Sequence, residues 1–335
     1  MRNVRRSPRA VNRHGRAGTC SCVSAFVLLA ISSAVCPVQV AAEESATGPQ
    51  EPRRKLGEHV FIPREAVNDP FTTSFVGSET SLGYGTAHGP SFDLNGNTIN
   101  LSDYKLAAYS QVFTGQWGIS DWWALRLTVN GIVYSGVNGS AAAGVGLNGV
   151  ARYGAGTTFS FRPAPTVRLG FLFDASFGPS IGLNILQAII RSLQAGSVVT
   201  PVQSTSNTTL SPALSVAWAI ARGLGLLGNV GYTHSSISAD AANVGADVLG
   251  FSAGLDLDLR ELGSIPMGFA LSYAAGYSVG DTRFRNYRLA GGIFYTGRTE
   301  LTLGLEFAFN RAPLGAHDVF VSSLLGLIVL RYNFD

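Results

Sequence analysis

Apolar residues alternate with small or polar ones along most of this chain, and this two-residue period is the feature that most constrains its fold. In residues 299–310 the odd positions from Leu301 to Phe309 are all apolar, whereas the even positions from Glu300 to Asn310 are small or polar. Successive side chains of a β-strand point to opposite faces, so such a stretch has one apolar and one polar face. The pattern therefore predicts β-strands that each have one face in apolar surroundings.

The alternation recurs in twelve segments, and their connections fall into two length classes. The predicted strands are 71–84, 102–118, 121–134, 147–162, 166–178, 207–221, 223–236, 247–260, 266–279, 284–297, 299–311 and 318–334. Each is long enough for a tilted strand to cross a bilayer, which takes about 9–11 residues. Short connections alternate with mostly longer ones, as they do between the periplasmic turns and outer loops of an up-and-down barrel.

This pattern predicts an all-β fold, a transmembrane up-and-down antiparallel β-barrel of about twelve strands. Ten or fourteen strands also fit the segments. A soluble β-sandwich alternates as well, but residues 71–335 are a long stretch for one such domain. Only 13% of the residues are charged, about half the ~25% of soluble domains, which also favours a membrane protein.

The first 42 residues have the organisation of a secretory signal peptide. Residues 1–18 carry six arginines and no acidic residue, and an apolar stretch follows that ends in small residues at Ala41 and Ala42. A basic region, an apolar region and a small-residue exit are typical of a cleaved signal, whereas a retained anchor helix is the competing interpretation. We predict a signal peptide over 1–42.

Loss of this segment changes the charge and the cysteine content of the mature chain. It removes six arginines, so 18 basic and 21 acidic residues remain and the net charge becomes −3. All three cysteines, Cys20, Cys22 and Cys36, lie within it. The mature chain therefore gives no reason to expect nucleic-acid binding, disulfides or thiolate metal sites.

Residues 43–70 are polar, contain prolines and have no period. Such a composition predicts a segment without a core of its own. We expect three regions: a signal peptide over 1–42, a periplasmic N-terminal lead-in over 43–70 and an outer-membrane barrel over 71–335.

Two short stretches resemble known membrane barrels. Apolar residues alternate along the last strand up to Tyr332 and Phe334, similar to the C-terminal signature by which bacterial outer-membrane barrels are recognised for assembly, although Asp335 follows here. The run from Gly118 to Asp121 is similar to a turn between strands in transporters of the aromatic-degradation (meta-pathway) outer-membrane family. The resemblance implies an outer-membrane protein that assembles through the barrel-assembly machinery, with Tyr332 and Phe334 as its assembly signal.

Charged and polar side chains occupy the strand face opposite the apolar one, which in a barrel is the lumen. The candidate lumen-lining residues are Arg126, Asn130, Arg152, Arg168, Asp174, Asp256, Asp258, Arg288, Glu300 and Glu306. They can line a solute pathway or form structural ion pairs that close the interior. Because both signs of charge are present, we expect no strong selectivity for anions or cations.

Residues 180–195 break the two-residue period. Apolar residues including Ile185, Ile189 and Leu193 recur at helical spacing, which predicts an amphipathic helix in the longest outer loop. Loops of that length usually have a function. The helix can constrict the mouth of the barrel as a gate or pack over its rim.

One outward-facing pair has the residue types of a hydrolase. His234 and Ser236 share a strand face, and Asp247 opens the neighbouring strand, where it can orient the imidazole. An H-x-S pair on an outward face is similar to that of outer-membrane phospholipases and lipid A deacylases, although Ile237 stands where the deacylases commonly have Asn. Interfacial polar residues at a loop junction are the competing interpretation.

We predict that the protein is a bacterial outer-membrane channel or transporter for a small solute, with an apolar solute favoured, and not an enzyme. The alternatives are a lipid hydrolase using His234, Ser236 and Asp247, or a structural barrel without a pore. The sequence lacks phosphate loops, zinc spacings and dinucleotide motifs, so we expect no cofactor and no metal. The expected partners are outer-membrane lipids, the assembly machinery and the solute.

Overall fold

The structure is a computed structural model. It describes residues 54–64, 66–92, 98–183, 188–189, 192–193, 196–198, 200–239, 242–280, 285–313 and 320–334.

Two very short strands, β1 (Lys55–Leu56) and β2 (His59–Val60), pair with each other ahead of a closed antiparallel barrel. The twelve barrel strands of the described chain are β3 (Phe75–Phe92), β4 (Thr98–Ser120), β5 (Trp123–Gly136), β6 (Leu147–Ala164), β7 (Val167–Leu183), β8 (Val202–Ala221), β9 (Leu224–Ala239), β10 (Ala242–Asp258), β11 (Met267–Val279), β12 (Arg285–Tyr295), β13 (Leu301–Pro313) and β14 (Phe320–Asn333). Each barrel strand pairs with its neighbours in sequence, and β14 pairs with β3 through Leu327 and Ser81. The predicted up-and-down barrel of twelve strands is confirmed.

The alternation in the sequence separates the outside of the wall from its inside. Along β5 exposed and buried side chains alternate over nearly the whole strand: Leu127 and Val129 are exposed, whereas Arg126 and Asn130 are buried. The apolar face thus points outward and the polar face inward, which is the arrangement of a membrane barrel. A soluble sandwich would bury the apolar face, so the sandwich alternative is excluded.

The strands extend further than predicted at the end with the longer loops. The opposite end has short connections, such as residues 121–122, 165–166 and 222–223, and both ends of the barrel wall, Phe75 and Asn333, lie there. In bacterial outer-membrane barrels the short turns face the periplasm. We call this the short-turn end. The first barrel strand begins at Phe75 rather than at 71, because residues 71–74 belong to a segment inside the barrel.

Two of the connections between strands contain short helices whose bounds the described residues define. α1 (Gly139–Gly144) follows β5 and is capped by Asn138, and α2 (Leu259–Gly263) lies in the turn between β10 and β11. Among the described residues, no helix has both the length and the apolar character needed to cross a bilayer.

Candidate functional site

The N-terminal segment 54–74 lies inside the barrel at its short-turn end, and we call it the plug. It begins with the β1–β2 hairpin, whose turn residue Gly57 has a φ of +56° and donates its backbone N–H to the Pro165 carbonyl at 3.1 Å. Most of its side chains are buried, including Leu56, Phe61 and Phe71. This differs from the expected periplasmic lead-in without a core, since the described part of 43–70 packs within the wall.

Apolar side chains of the plug contact opposite sides of the wall. Those of Phe61 and Phe71 cluster with other plug residues and with Ala217 and Leu227 of β8 and β9. Ile62 packs instead with Ala270, Phe294 and Val329 of β11, β12 and β14. Because these strands surround the lumen, the plug spans it.

A buried carboxylate of the wall is the main polar anchor of the plug. Asp256 of β10 has His59 Nε2 at 3.1 Å and Arg64 Nη2 at 3.1 Å from its Oδ1, and the Ile62 backbone N–H donates to its Oδ2 at 2.8 Å. A carboxylate only accepts hydrogen bonds, so the His59 contact requires the proton on Nε2. Arg64 Nη1 also donates to the Leu271 carbonyl of β11 at 3.2 Å.

A second ion pair holds the plug in its own conformation. Arg54 Nη1 donates to Asp69 Oδ2 at 2.6 Å, and Arg54 Nε donates to the Phe61 carbonyl at 3.1 Å. Burial alone would raise the pKa of Asp69, but the guanidinium groups of Arg54 and Arg331 outweigh it and keep that pKa below its ordinary value. Asp69 is therefore ionised at neutral pH and holds Arg54 in place.

Glycines on the inner face let the plug approach the wall closely. A Cβ on Gly225 would lie 2.3 Å from His59 Nε2, and one on Gly254 would lie 1.7 Å from Arg64 Nη1. On the other side of the lumen, Gln116 Nε2 donates to the Phe71 and Thr73 carbonyls at 3.1 and 3.0 Å. The inner face is thus shaped to fit this segment.

A cavity of about 270 Å³ lies in the lumen above the plug, and we call it the vestibule. Ala66 and Asn68 of the plug form part of its boundary, and its wall includes Asn130, Asn229 and Asn310 with many Ser, Thr, Gly and Ala residues. Both amide atoms of Asn130, Nδ2 of Asn229 and Oδ1 of Asn310 have no hydrogen-bond partner among the described residues. These amide groups are available to bind water or a solute.

Two ion pairs on the wall neutralise part of the charge around the vestibule, whose lining also includes Arg311. Arg126 of β5 donates from Nε to Asp174 Oδ1 of β7 at 3.1 Å, and Arg288 of β12 lies 3.4 Å from Glu306 of β13. Arg152 also lines the vestibule and is buried. The four side chains of these two pairs therefore form structural ion pairs, which is one of the two roles considered for the charged lumen residues.

The remaining predicted lumen residues lie near the short-turn end. Arg168 donates from Nε to Ser160 Oγ at 2.5 Å and lies over the Phe71 ring of the plug, while Asp258 accepts from the Arg260 backbone N–H and caps α2. Glu300 does not line the lumen, because β13 begins at Leu301 and Glu300 is exposed in the preceding turn. In the sequence, apolar and polar residues continue to alternate into this turn, but in the structure the strand begins only at Leu301.

The predicted gate helix is only partly within the described residues. Ser180–Leu183 continue β7, so a helix beginning at 180 is wrong. Residues 188–189 and 192–193 are helical, with Ile189 51% and Leu193 74% exposed, whereas Ile185 lies outside the described residues.

The candidate assembly signal lies at the end of the barrel wall. Tyr332 is exposed on β14, and Phe334 follows that strand, with the two ring centroids 6.3 Å apart. The Phe334 backbone N–H donates to the Ser74 carbonyl at 3.1 Å, which ties the end of the chain to the start of the first barrel strand.

The candidate hydrolase residues lie on the outer face, away from the plug. Asp247 stands directly opposite His234 in the β9–β10 pair, and its Oδ1 is 2.7 Å from His234 Nδ1. Tyr232 Oη donates to the same oxygen at 2.6 Å. Sequence reasoning indicated the His234–Asp247 contact but missed Tyr232, which shares the face of His234 at a spacing of two residues.

A closed wall with an apolar outer face and a polar inner one is the fold of Gram-negative outer-membrane β-barrel proteins. The translocator domain of the autotransporter NalP from Neisseria meningitidis has a similar structure, with a TM-score of 0.51 and 12% identity, covering 78% of this chain and 89% of that chain. A FadL homologue of Pseudomonas aeruginosa gives 0.44 and 9%, covering 80% and 93%. The toluene transporter TodX of Pseudomonas putida gives 0.38 and 9%, covering 79% and 91%.

Identities this low show the fold alone. No protein-family model matches the sequence, and no curated protein matches it.

Proposed function

We propose that the protein is an outer-membrane channel for a small solute, and that the plug closes it in the conformation described here. The observation that carries this proposal is the vestibule, a cavity within the barrel that is bounded below by Ala66 and Asn68 of the plug. A barrel with a purely structural role has no need of a cavity lined by unpaired amide groups. The described plug residues form no strand pair with the wall and contact it mainly through side chains, so the plug can move while the barrel stays closed.

The vestibule suits a small solute that has both polar and apolar parts. Its wall presents amide and hydroxyl groups among apolar surface from residues such as Pro212, Ala213 and Val248. Its volume of about 270 Å³ is just below the ~300–1,000 Å³ of ordinary ligand pockets. The proposed solute is therefore one small molecule at a time, with polar groups that the amides of the wall can bind.

Opening requires the plug to leave the short-turn end. The wall cannot widen instead, because every barrel strand is hydrogen-bonded on both edges. The contacts that must break include those of Asp256 with His59, Arg64 and the Ile62 backbone, and the two apolar clusters. The hydrogen bonds of Gly57 with Pro165 and of Gln116 with the plug backbone must break as well.

Conductance across planar bilayers tests this proposal. Asp256→Ala removes the buried anchor of the plug, and we expect more frequent and larger openings than in the unaltered protein. Asp247→Ala is the matched control, since Asp247 lies on the same strand but faces outward and touches no part of the plug. Equal conductance in the three proteins would refute the gating role of the plug, and no conductance in any of them would favour a barrel without a pore.

The route to the membrane is also a proposal. Export by the N-terminal segment 1–42 and insertion through the assembly machinery are consistent with the barrel fold. Phe334→Ala should reduce the amount of folded barrel in the outer membrane, measured by heat-modifiable migration on gels, whereas Tyr295→Ala, an aromatic change at the end of β12, should not. Equal assembly of the two variants would contradict an assembly role for Phe334.

A further inference from the structure

The outer face of the barrel carries a cluster of polar side chains that the channel does not use. It consists of Tyr232, His234 and Ser236 on β9 and Asp247 on β10, and we call it the His234 cluster. The side chains of His234 and Asp247 are 53% and 39% exposed, and they lie on the face that carries the apolar lipid-facing residues. Polar groups at a lipid-facing position are costly unless they have a function or reach the interface.

The hydrogen bonds of this cluster determine which imidazole nitrogen of His234 carries the proton. Asp247 Oδ1 lies 2.7 Å from His234 Nδ1, and Tyr232 Oη donates to the same oxygen at 2.6 Å. Since the carboxylate can only accept, the proton of a neutral His234 sits on Nδ1 and its Nε2 is a free base. A carboxylate that orients a histidine in this way is the support that a nucleophile–base pair requires.

A hydroxyl stands beside this base. Ser236 follows His234 by two residues on the same strand, so both side chains project from the same face. No hydrogen bond joins the two side chains in the described part of the chain. Catalytic hydrogen bonds are often long before substrate binds, so this spacing is compatible with a working pair.

The strand opposite Ser236 leaves space for a substrate. Gly245 pairs with Ser236, and a Cβ placed on Gly245 would have no neighbour nearer than 3.9 Å, one of these being His234 Cε1. An acyl group can therefore approach Ser236 and His234 from this side.

The position of the cluster suits the ester of a membrane lipid. His234 is ten residues beyond Leu224, the first residue of β9 at the short-turn end. At about 3.3–3.4 Å per residue and a tilt of about 35–45°, this is about 25 Å along the barrel axis, the height of the apolar band of such barrels. Val230 and Leu249 lie next to it toward the membrane centre and are exposed, so acyl chains can lie against them while the ester reaches the cluster.

We propose that the His234 cluster is an acyl-ester hydrolase site that acts on membrane lipids from the outer face of the barrel. Ser236 Oγ attacks the ester carbonyl and its proton passes to His234 Nε2. The ester C–O bond then breaks, the alcohol part of the lipid leaves with that proton, and the acyl group stays on Ser236. Water attacks the acyl-enzyme, gives a proton to His234 and releases the fatty acid, after which the proton returns to Ser236. Asp247 and Tyr232 are positioning residues.

Fatty-acid release by the purified full-length protein tests the proposal. One arm uses phospholipid and the other lipopolysaccharide, because both carry acyl esters at this depth and the arm that responds identifies the lipid. Ser236→Ala and His234→Ala should each lower the release rate at least about 100-fold, the lower end of what a positioned base contributes. Ser238→Ala, an exposed serine on the same strand and face, should leave the rate unchanged.

Asp247→Asn distinguishes positioning from a structural role. An amide can donate as well as accept, so it no longer holds the His234 proton on Nδ1, and kcat should fall while KM stays unchanged. No release from either lipid by the unaltered protein, or equal rates in Ser236→Ala and Ser238→Ala, would overturn the proposal. Neither result would affect the proposed channel, which is tested by conductance.

Discussion

The side chains of His59 and Asp256 are both completely buried, and His59 Nε2 lies 3.1 Å from Asp256 Oδ1 although the two residues are 197 positions apart in the sequence. His59 belongs to the plug and Asp256 to the barrel wall. The contact therefore joins the part of the lumen that can move to the part that cannot. Arg64 lies against the same carboxylate oxygen, so both basic side chains depend on one acid.

Loss of that acid should release the plug before it unfolds the barrel. Asp256→Ala leaves Arg64 and His59 buried without their carboxylate, and removing one partner of a buried ion pair costs about 3–5 kcal/mol. Limited proteolysis of the protein in liposomes should then cleave within residues 54–70 much faster, while the barrel strands stay protected. Asp256→Asn, which keeps an acceptor but not the charge, should give an intermediate rate. Unchanged protection in Asp256→Ala would mean that the apolar clusters alone hold the plug.

Steric pressure should displace the plug without any change of charge. Gly225→Ala places a methyl group 2.3 Å from His59 Nε2 and 2.6 Å from Asp256 Oδ1, so the contact between these two side chains must be disturbed. We expect more frequent channel openings in planar bilayers. The control is Gly250→Ala on β10, where an added Cβ meets nothing nearer than 3.8 Å. If both alanine variants conduct alike, the fit between His59 and the wall does not control the channel.

The assignment of the lipid-facing residues can be tested by replacing one of them with a charged residue. Leu305 is exposed on β13, and arginine at the bilayer centre of such a barrel costs about 2–4 kcal/mol. Leu305→Arg should therefore lower the free energy of unfolding in liposomes by about this amount, measured by denaturant titration. Leu262 in α2 is also exposed but lies beyond the strands, so Leu262→Arg should cost close to nothing. Equal costs would contradict the assignment of the lipid-facing band.

The vestibule should set the charge preference of the open channel. Asn130→Asp adds a negative charge to a wall on which Arg126 and Asp174, and Arg288 and Glu306, already pair. In an Asp256→Ala background, the reversal potential in a salt gradient should shift toward cations. Asn130→Ser keeps the wall uncharged at this position and should leave the potential unchanged. No shift in Asn130→Asp would mean that ions do not pass through this cavity.

The wall could be predicted from the sequence because the information for it is local. Alternation along one strand, as from Leu301 to Phe309, is enough to assign each residue to the inner or outer face. Contacts such as His234 with Asp247 follow, because a hairpin sets the register of its own two strands. Only strand ends, such as the exposed Glu300, were misplaced, since the two-residue period continues into the turn.

The plug could not be predicted in this way. Residues 54–74 follow no period, and their partners are scattered over β4, β8, β9, β10, β11, β12 and β14. Asp256 has the sequence signal of an inward-facing charge, but nothing near it in sequence identifies His59 or Arg64 as its partners. The remaining signal was weak: Phe61, Ile62 and Phe71 are large apolar residues in a segment that otherwise has the composition of a linker.

A disulfide between the plug and the wall tests the central claim most directly. A Cβ on Gly170 would lie 2.8 Å from Pro70 Cβ, so a small shift brings Pro70→Cys and Gly170→Cys to the ~3.5–4.5 Å that a disulfide needs. The three natural cysteines all precede residue 43, so the predicted mature chain offers no competing thiol. In the Asp256→Ala background, the oxidised double-cysteine protein should show no channel openings in planar bilayers, and reduction should restore them, while each single-cysteine protein conducts in both conditions. Undiminished conductance of the oxidised protein would show that solutes pass without displacement of the plug, and would contradict the proposed gating.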